Sequence, residues 1–136
     1  MVDLAIRSNG EQVALKSIAE SQNISESYLE QVFSLLRKAG LVKSIKGAQG
    51  GYVLSGPLSE IKVGDILRAL EGSLNIIDFT PEAEKIEPNS IQYCIKINVW
   101  DKINESINKV VDNITLEDLV NEYKKMNGPQ ALMYYI

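Results

Sequence analysis

The feature that most constrains this chain lies between Ser25 and Gly40, where Leu29, Val32, Phe33 and Leu36 recur at i, i+3, i+4 and i+7. This spacing predicts one amphipathic helix from Ser25 to Ala39, with Ser25 as N-cap, Glu26 favouring the positive end and Gly40 as the stop. Ser27 with Glu30 offers an alternative capping box one turn in. The opposite face carries Ser27, Glu30, Gln31, Ser34 and Lys38, all polar. Leu41 to Ile45 then reads as a strand, Gly47 to Gly51 as a glycine-rich turn and Tyr52 to Leu54 as the returning strand. A short helix over about Leu15 to Ser21, broken at Gln22-Asn23, comes before. Helix, tight break, helix with a polar outer face, then a hairpin is the order of a winged helix-turn-helix.

Around this unit the chain is mostly helical. Val2, Ala5 and Ile6 stand at helical spacing with no capping residue ahead of them, so the first helix reads as truncated before Asn9-Gly10 ends it. Val63, Ile66, Leu67 and Leu70 define a helix ended by Gly72, and residues 73 to 90 read as an acidic loop in which Ile76, Ile77 and Phe79 need cover. From about Ile91 to Asn113 runs the longest helix, with Trp100, Ile103, Ile107, Val110 and Ile114 at alternating spacings of three and four, a coiled-coil seam. Thr115 with Asp118 opens a last helix, which Gly128-Pro129 terminates. The division expected is 1–58 as DNA-binding unit, 59–90 as connecting helix and loop, and 91–136 as dimerisation helix, short helix and apolar tail.

Composition narrows the function. The 136 residues contain one cysteine, Cys94, and no histidine. An internal disulfide, a histidine general base, a Ser-His-Asp triad and an HExxH zinc site are therefore excluded, and one thiol cannot fill a metal or cluster ligand set, so neither an enzyme nor a cofactor is expected. The apolar runs fall far short of the ~20 residues needed to span a bilayer, and no signal segment opens the chain, which points to the cytoplasm. The formal charge of −4 is unevenly spread. Residues 1–56 hold six Lys+Arg against five Asp+Glu, residues 57–136 eight against thirteen, and the acid-free interval between Glu30 and Glu60 contains Arg37, Lys38, Lys43 and Lys46. A basic patch on an acidic protein suits a local nucleic-acid surface, and a solvated face is the plainer alternative.

The residue types fit base reading. Gln can contact adenine bidentately, Glu can accept from cytosine N4, and both need a helix narrow enough for a major groove about 12 Å wide. Ser27, Tyr28, Glu30, Gln31 and Ser34 are the candidate helix contacts, Arg37, Lys38 and Lys43 the candidate phosphate contacts, and Lys46, Gly47 and Gln49 the candidate wing tip. The run from Lys46 to Tyr52 lacks the G-x-x-x-x-G-K-[ST] pattern and leads into a strand, so it does not read as a phosphate loop. The seam, taken with two-fold DNA sites, favours a homodimer through Trp100, Ile103, Ile107, Val110 and Ile114.

The stretch SESYLEQVFSLLRKAGLVKSIKGAQGGY, then VGDILRALEG and TLEDL, closely resembles the bacterial Rrf-type transcriptional regulators. The likeness extends over nearly the whole chain. It implies that the positions matching Ser27, Glu30 and Gln31 face bases and that the position of Lys46, usually Arg in the family, enters the minor groove. Cluster-binding members carry three cysteines ahead of the long helix; this chain has one cysteine, Cys94, beside the helix start, so the family's iron–sulfur cofactor is not expected. Members also start about a dozen residues earlier. The acidic loop and the ending ALMYYI look most like the branch that represses cysteine-metabolism genes. That likeness implies cysteine synthase (O-acetylserine thiol-lyase) as signalling partner, with Tyr134, Tyr135 and Ile136 as docking residues because a terminal isoleucine carboxylate resembles an amino-acid substrate. A tail packed on its own dimer, a redox sensor acting through Cys94 and an adaptor that binds no DNA remain the alternatives.

Overall fold

Three helices and a hairpin share the main core of the computed structural model, which describes residues 1–48, 50–77 and 85–128. Helix α1 spans Val2–Ser8 and ends on Asn9 in the left-handed region; α2 spans Leu15–Gln22 and ends on Asn23, also left-handed. Asparagine tolerates that conformation better than most side chains, which is why the chain can turn sharply into α3 at this point. Helix α3 spans Glu26–Lys38. Its cap is the Ser25 Oγ, which accepts from the Tyr28 N–H at 3.1 Å. Gly40, at φ +79°, follows the Ala39 C-cap.

Strands β1 (Val42–Ile45) and β2 (Gly51–Leu54) pair antiparallel, with Val42 opposite Leu54 and Ile45 opposite Gly51. A third segment joins them. Val13 and Tyr52 exchange both backbone hydrogen bonds at 2.9 Å, so the link between α1 and α2 is stitched to the wing. Leu4, Val13, Leu15, Ile18, Ala19, Leu29, Phe33, Leu36 and Val42 form the buried cluster beneath these elements. The Phe33 ring meets Tyr52 at 5.0 Å between centroids, tilted by 60°, which fixes α3 against β2.

After the wing, a 3-10 turn at Leu58–Glu60 leads into α4 (Val63–Glu71), ended by Gly72 at φ +78°. The long helix runs from Ile91 to Asp112 in three parts: α5 (Ile91–Ile95), a π turn (Lys96–Trp100) and α6 (Asp101–Asp112). The regular helix expected there is thus interrupted, because an i→i+5 turn places one extra residue between Lys96 and Trp100, where the seam begins. Helix α7 (Leu116–Met126) opens on the expected capping box, Thr115 and Asp118 bonding each other's backbone N–H. It ends on the Asn127 cap, immediately ahead of Gly128. The Ser27–Glu30 alternative is not formed: Ser25 alone caps α3.

Two backbone bonds, Val63 N–H to Ile114 O and Leu116 N–H to Ile61 O, tie the two ends of the α4–α6 unit together. The described parts of the connecting loop are irregular. Asn104, buried on α6, accepts from Ile76 N–H at 2.8 Å and donates to Ile77 O, so its side chain replaces the ladder that the loop lacks. The Ile76 side chain remains 54% exposed rather than covered, and Phe79 lies outside the described residues. No described helix is long and apolar enough to cross a membrane.

Candidate DNA-binding surface

Helix α3 divides sharply by burial. Leu29, Phe33 and Leu36 are buried, while Ser27, Tyr28, Glu30, Gln31, Arg37 and Lys38 are exposed and Ser34 is half-buried. The 3.6-residue period dictates that division, since the apolar positions share one side and leave the other to solvent. Leu35 also reaches solvent, at 41% exposure, among the polar residues. Ser25 fixes where α3 begins and hence which turn holds Ser27, Glu30 and Gln31, because its hydroxyl satisfies an N–H that the helix cannot.

The wing is equally determined by local chemistry. Lys43 is exposed on β1, and Lys46 is exposed where the turn begins. Gly47 sits at φ +129°, a conformation that L side chains rarely adopt. A Cβ on Gly50 would stand 2.7 Å from the Ile45 carbonyl oxygen, and one on Gly51 would stand 2.4 Å from the Val13 carbonyl oxygen. Both neighbours are backbone, so neither can yield cheaply. The glycine run is therefore built for close main-chain packing inside the wing. Gln49 lies outside the described residues.

Among the described residues Glu30, Arg37, Lys38, Lys43 and Lys46 enter no ion pair; the pairs formed are Arg7–Asp3, Arg68–Asp65, Arg68–Asp112 and Lys96–Asp101. The four cations keep their charge available to an outside anion. Such a surface can offer hydrogen-bonding side chains from a helix and cations from its flanks to a polyanion, which is the chemistry of groove reading.

The seam residues lie elsewhere. Trp100, Ile103, Ile107 and Ile114 are half-buried and Val110 is 59% exposed, so the stripe is only partly covered. Tyr134, Tyr135 and Ile136 lie outside the described residues. Sequence reasoning missed Val13, which anchors the wing, and the Arg68–Asp112 pair. A single-residue bridge leaves no periodic signal, and residues 44 positions apart give no local one; the nearest hint was the β-branched Val13 ahead of a helix start.

The residues present do not fit an iron–sulfur centre. Cys94 is an exposed free thiol, its Sγ approached at 3.7 Å by the Asn98 side-chain amide, and no group of three or more His, Cys, Asp or Glu side chains gathers among the described residues. Clusters take about four thiolate ligands. This chain has one cysteine.

The family model described as "Rrf2: Iron-dependent Transcriptional regulator" matches residues 1–122. The HTH-type transcriptional regulator CymR of Bacillus subtilis is 42% identical over 137 residues, covering 100% of this chain and 91% of that protein. The solved structure of CymR, described as the global cysteine regulator of B. subtilis, superposes with a TM-score of 0.72 at 43% identity, over 89% of this chain and 87% of that one. A T. potens IscR structure gives 0.73 at 46% identity, over 98% and 87%. With the winged helix-turn-helix order complete and these likenesses running nearly end to end, the chain belongs to the Rrf2 family of helix-turn-helix transcriptional regulators, and it is not an enzyme.

Proposed function

We propose that the protein is a sequence-specific repressor of cysteine and sulfur-metabolism genes that binds duplex DNA as a two-fold dimer and takes its metabolic signal from cysteine synthase. The observation that carries the reading is the α3 surface: Ser27, Tyr28, Glu30 and Gln31 face solvent beside cations that no acid neutralises among the described residues. In this reading Gln31 and Glu30 read base edges, Ser27, Tyr28 and Ser34 complete the helix contact, and Arg37, Lys38 and Lys43 hold phosphates. Lys46, Gly47 and Gln49 bring the wing to the minor groove. Glu30 near phosphates is unfavourable unless a base amino group compensates it, so its presence favours discrimination over bulk affinity.

Trp100, Ile103, Ile107, Val110 and Ile114 form the dimer seam, whose partial cover within one chain leaves apolar surface for a second copy. The cysteine branch is supported by the near full-length likeness to CymR. Docking of cysteine synthase rests on the chemistry of Tyr134, Tyr135 and Ile136, apolar and aromatic side chains of a kind that an amino-acid pocket can accept. Substrate and tail would then compete by mass action.

The test is binding to duplexes from upstream of sulfur-assimilation genes, measured against scrambled duplexes at fixed salt. Specific retardation, weakened or strengthened by added cysteine synthase and reversed by O-acetylserine, is expected. Equal affinity for scrambled DNA removes the regulator reading for these genes. Undiminished enzyme binding after deletion of Tyr135 and Ile136 removes the docking assignment. A redox role for the exposed Cys94 is the competing reading; a Cys94→Ser variant that loses its regulatory response would favour it.

A further inference from the structure

Helix α4 stands between the recognition helix and the long helix, and it is fixed to each by different chemistry. Toward the core beneath α3 it presents Ile66, Ala69 and Leu70. Toward α6 it presents Gly64 and Arg68. The Arg68 guanidinium donates to both Asp112 carboxylate oxygens at 2.8 Å and to Asn108 Oδ1 at 2.7 Å. A Cβ on Gly64 would lie 2.1 Å from Asp112 Oδ1 and 2.7 Å from the same guanidinium, so the fork forms only because position 64 has no side chain. Further along, Asn108 donates to Asn75 Oδ1 and Asn104 holds the backbone of Ile76 and Ile77. At the other end lies the Val63–Ile114 backbone bond.

We propose that Arg68 is a positioning residue for DNA binding: its fork on Asp112 sets the angle between each recognition unit and the dimer seam, and so sets which half-site spacing the dimer accepts. This inference rests on the two-fold DNA-binding reading above. Two parallel N–H···O bonds to one carboxylate fix orientation as well as distance, which a single bond cannot. Arg68 and Asp112 side chains are 31% and 36% exposed. Pairs of that exposure contribute little to folding, so their value here lies in geometry. For a two-headed binder, the second head helps only if the connection places it on its site; a stiff connection penalises a displaced site and a loose one does not. One base pair more between half-sites rotates the second by roughly 34° and moves it by about 3.4 Å.

The experiment uses the full chain and a duplex that wild-type protein selects from a random-sequence library. Affinities are measured by fluorescence anisotropy for that duplex, for versions with one base pair added or removed between half-sites, and for a single half-site. Wild type is expected to lose at least about tenfold on either spacing change. Arg68→Met should bind the selected duplex more weakly and lose only about two- to threefold on the same changes, with dimer mass and half-site affinity unaltered. Arg68→Lys, which keeps the charge without the planar fork, should behave like Arg68→Met. Should Arg68→Met fail to fold, Asp112→Asn is read by the same ratio. A spacing ratio equal to wild type in the folded variant overturns the assignment, as does a Lys variant indistinguishable from wild type. A wild type that selects no duplex overturns the DNA-binding reading itself, and one indifferent to spacing overturns the two-fold reading; the positioning role falls with either.

Discussion

Gln31 and Lys46 illustrate how two exposed side chains on one surface can be asked for different work. If Gln31 reads a base edge, Gln31→Ala should weaken the selected site by roughly 1 to 3 kcal/mol and relax preference at one position. Lys46→Ala should weaken all sequences alike and reduce the salt slope by about one charge. Titrations on specific and random duplexes at several salt concentrations separate the two, and equal losses on both DNAs for Gln31→Ala would remove its role. Gly51 poses a question of stability. A Cβ at 2.4 Å from the Val13 carbonyl oxygen must push two backbones apart. Gly51→Ala should therefore cost about 1 to 3 kcal/mol, read as a shifted denaturation midpoint, together with faster amide exchange at Val13 and Tyr52. The exposure of Gln31 was readable from sequence because the apolar period of α3 leaves it on the outer face. The close approach at Gly51 was not, since the Val13 carbonyl that leaves no room for a side chain there lies 38 positions away in the chain.

At the scale of elements, those with chemical punctuation were legible. Ser25 and Gly40 bracket α3, Thr115 and Asp118 open α7, and Gly72 closes α4, each within a residue or two of expectation. The mixed outcome is the long helix: its extent followed from the apolar spacing, its π turn did not, because side-chain periodicity averages over one displaced residue. The seam makes a direct prediction. Ile107 is half-buried within its own protomer, and if a second copy completes its burial, Ile107→Glu places an unpaired charge there, costing about 3 to 5 kcal/mol of dimer stability. Sedimentation should show monomer for the variant; an unaltered dimer would place the interface elsewhere.

Across the whole molecule, the acidic total and the basic gap coexist because the charges have different tasks. Acids such as Asp112 work inside the fold. Hydrogen bonds from Arg68 hold the Asp112 carboxyl below its ordinary value. A group whose folded pKa is depressed adds stability above its unfolded pKa and loses it as pH falls through the folded one. Acid titration below about pH 4 should therefore loosen the α4–α6 contact. Asp112→Asn should remove the small pH dependence that this half-exposed pair adds, as read by thermal melts across pH; an unchanged profile would mean that the pair contributes nothing to folding. The architecture itself was legible in outline, since one amphipathic helix followed by a glycine-rich hairpin leaves few folds open. Which helix faces meet was not, because Arg68 and Asp112 carry no mark of their partnership in the sequence.

The π turn at Lys96–Trp100 changes the phase of the helix. With about 3.6 residues per turn, one inserted residue rotates everything before it by roughly 100°. Counted without that residue, Ile91, Ile95 and Trp100 continue the spacings of Ile103, Ile107 and Val110 as four, four, three, four and three. Counted with it, Ile91 and Ile95 drift off the stripe. The 81% and 41% exposures of Ile91 and Ile95 then belong to one continuous apolar seam about twenty residues long rather than to two unrelated patches. A one-residue deletion inside the turn would restore a regular helix and leave the stripe in phase, whereas the same deletion beyond Trp100 would misalign it and an insertion of a whole heptad there would keep the register. Length changes in this helix should thus be tolerated by phase and not by size.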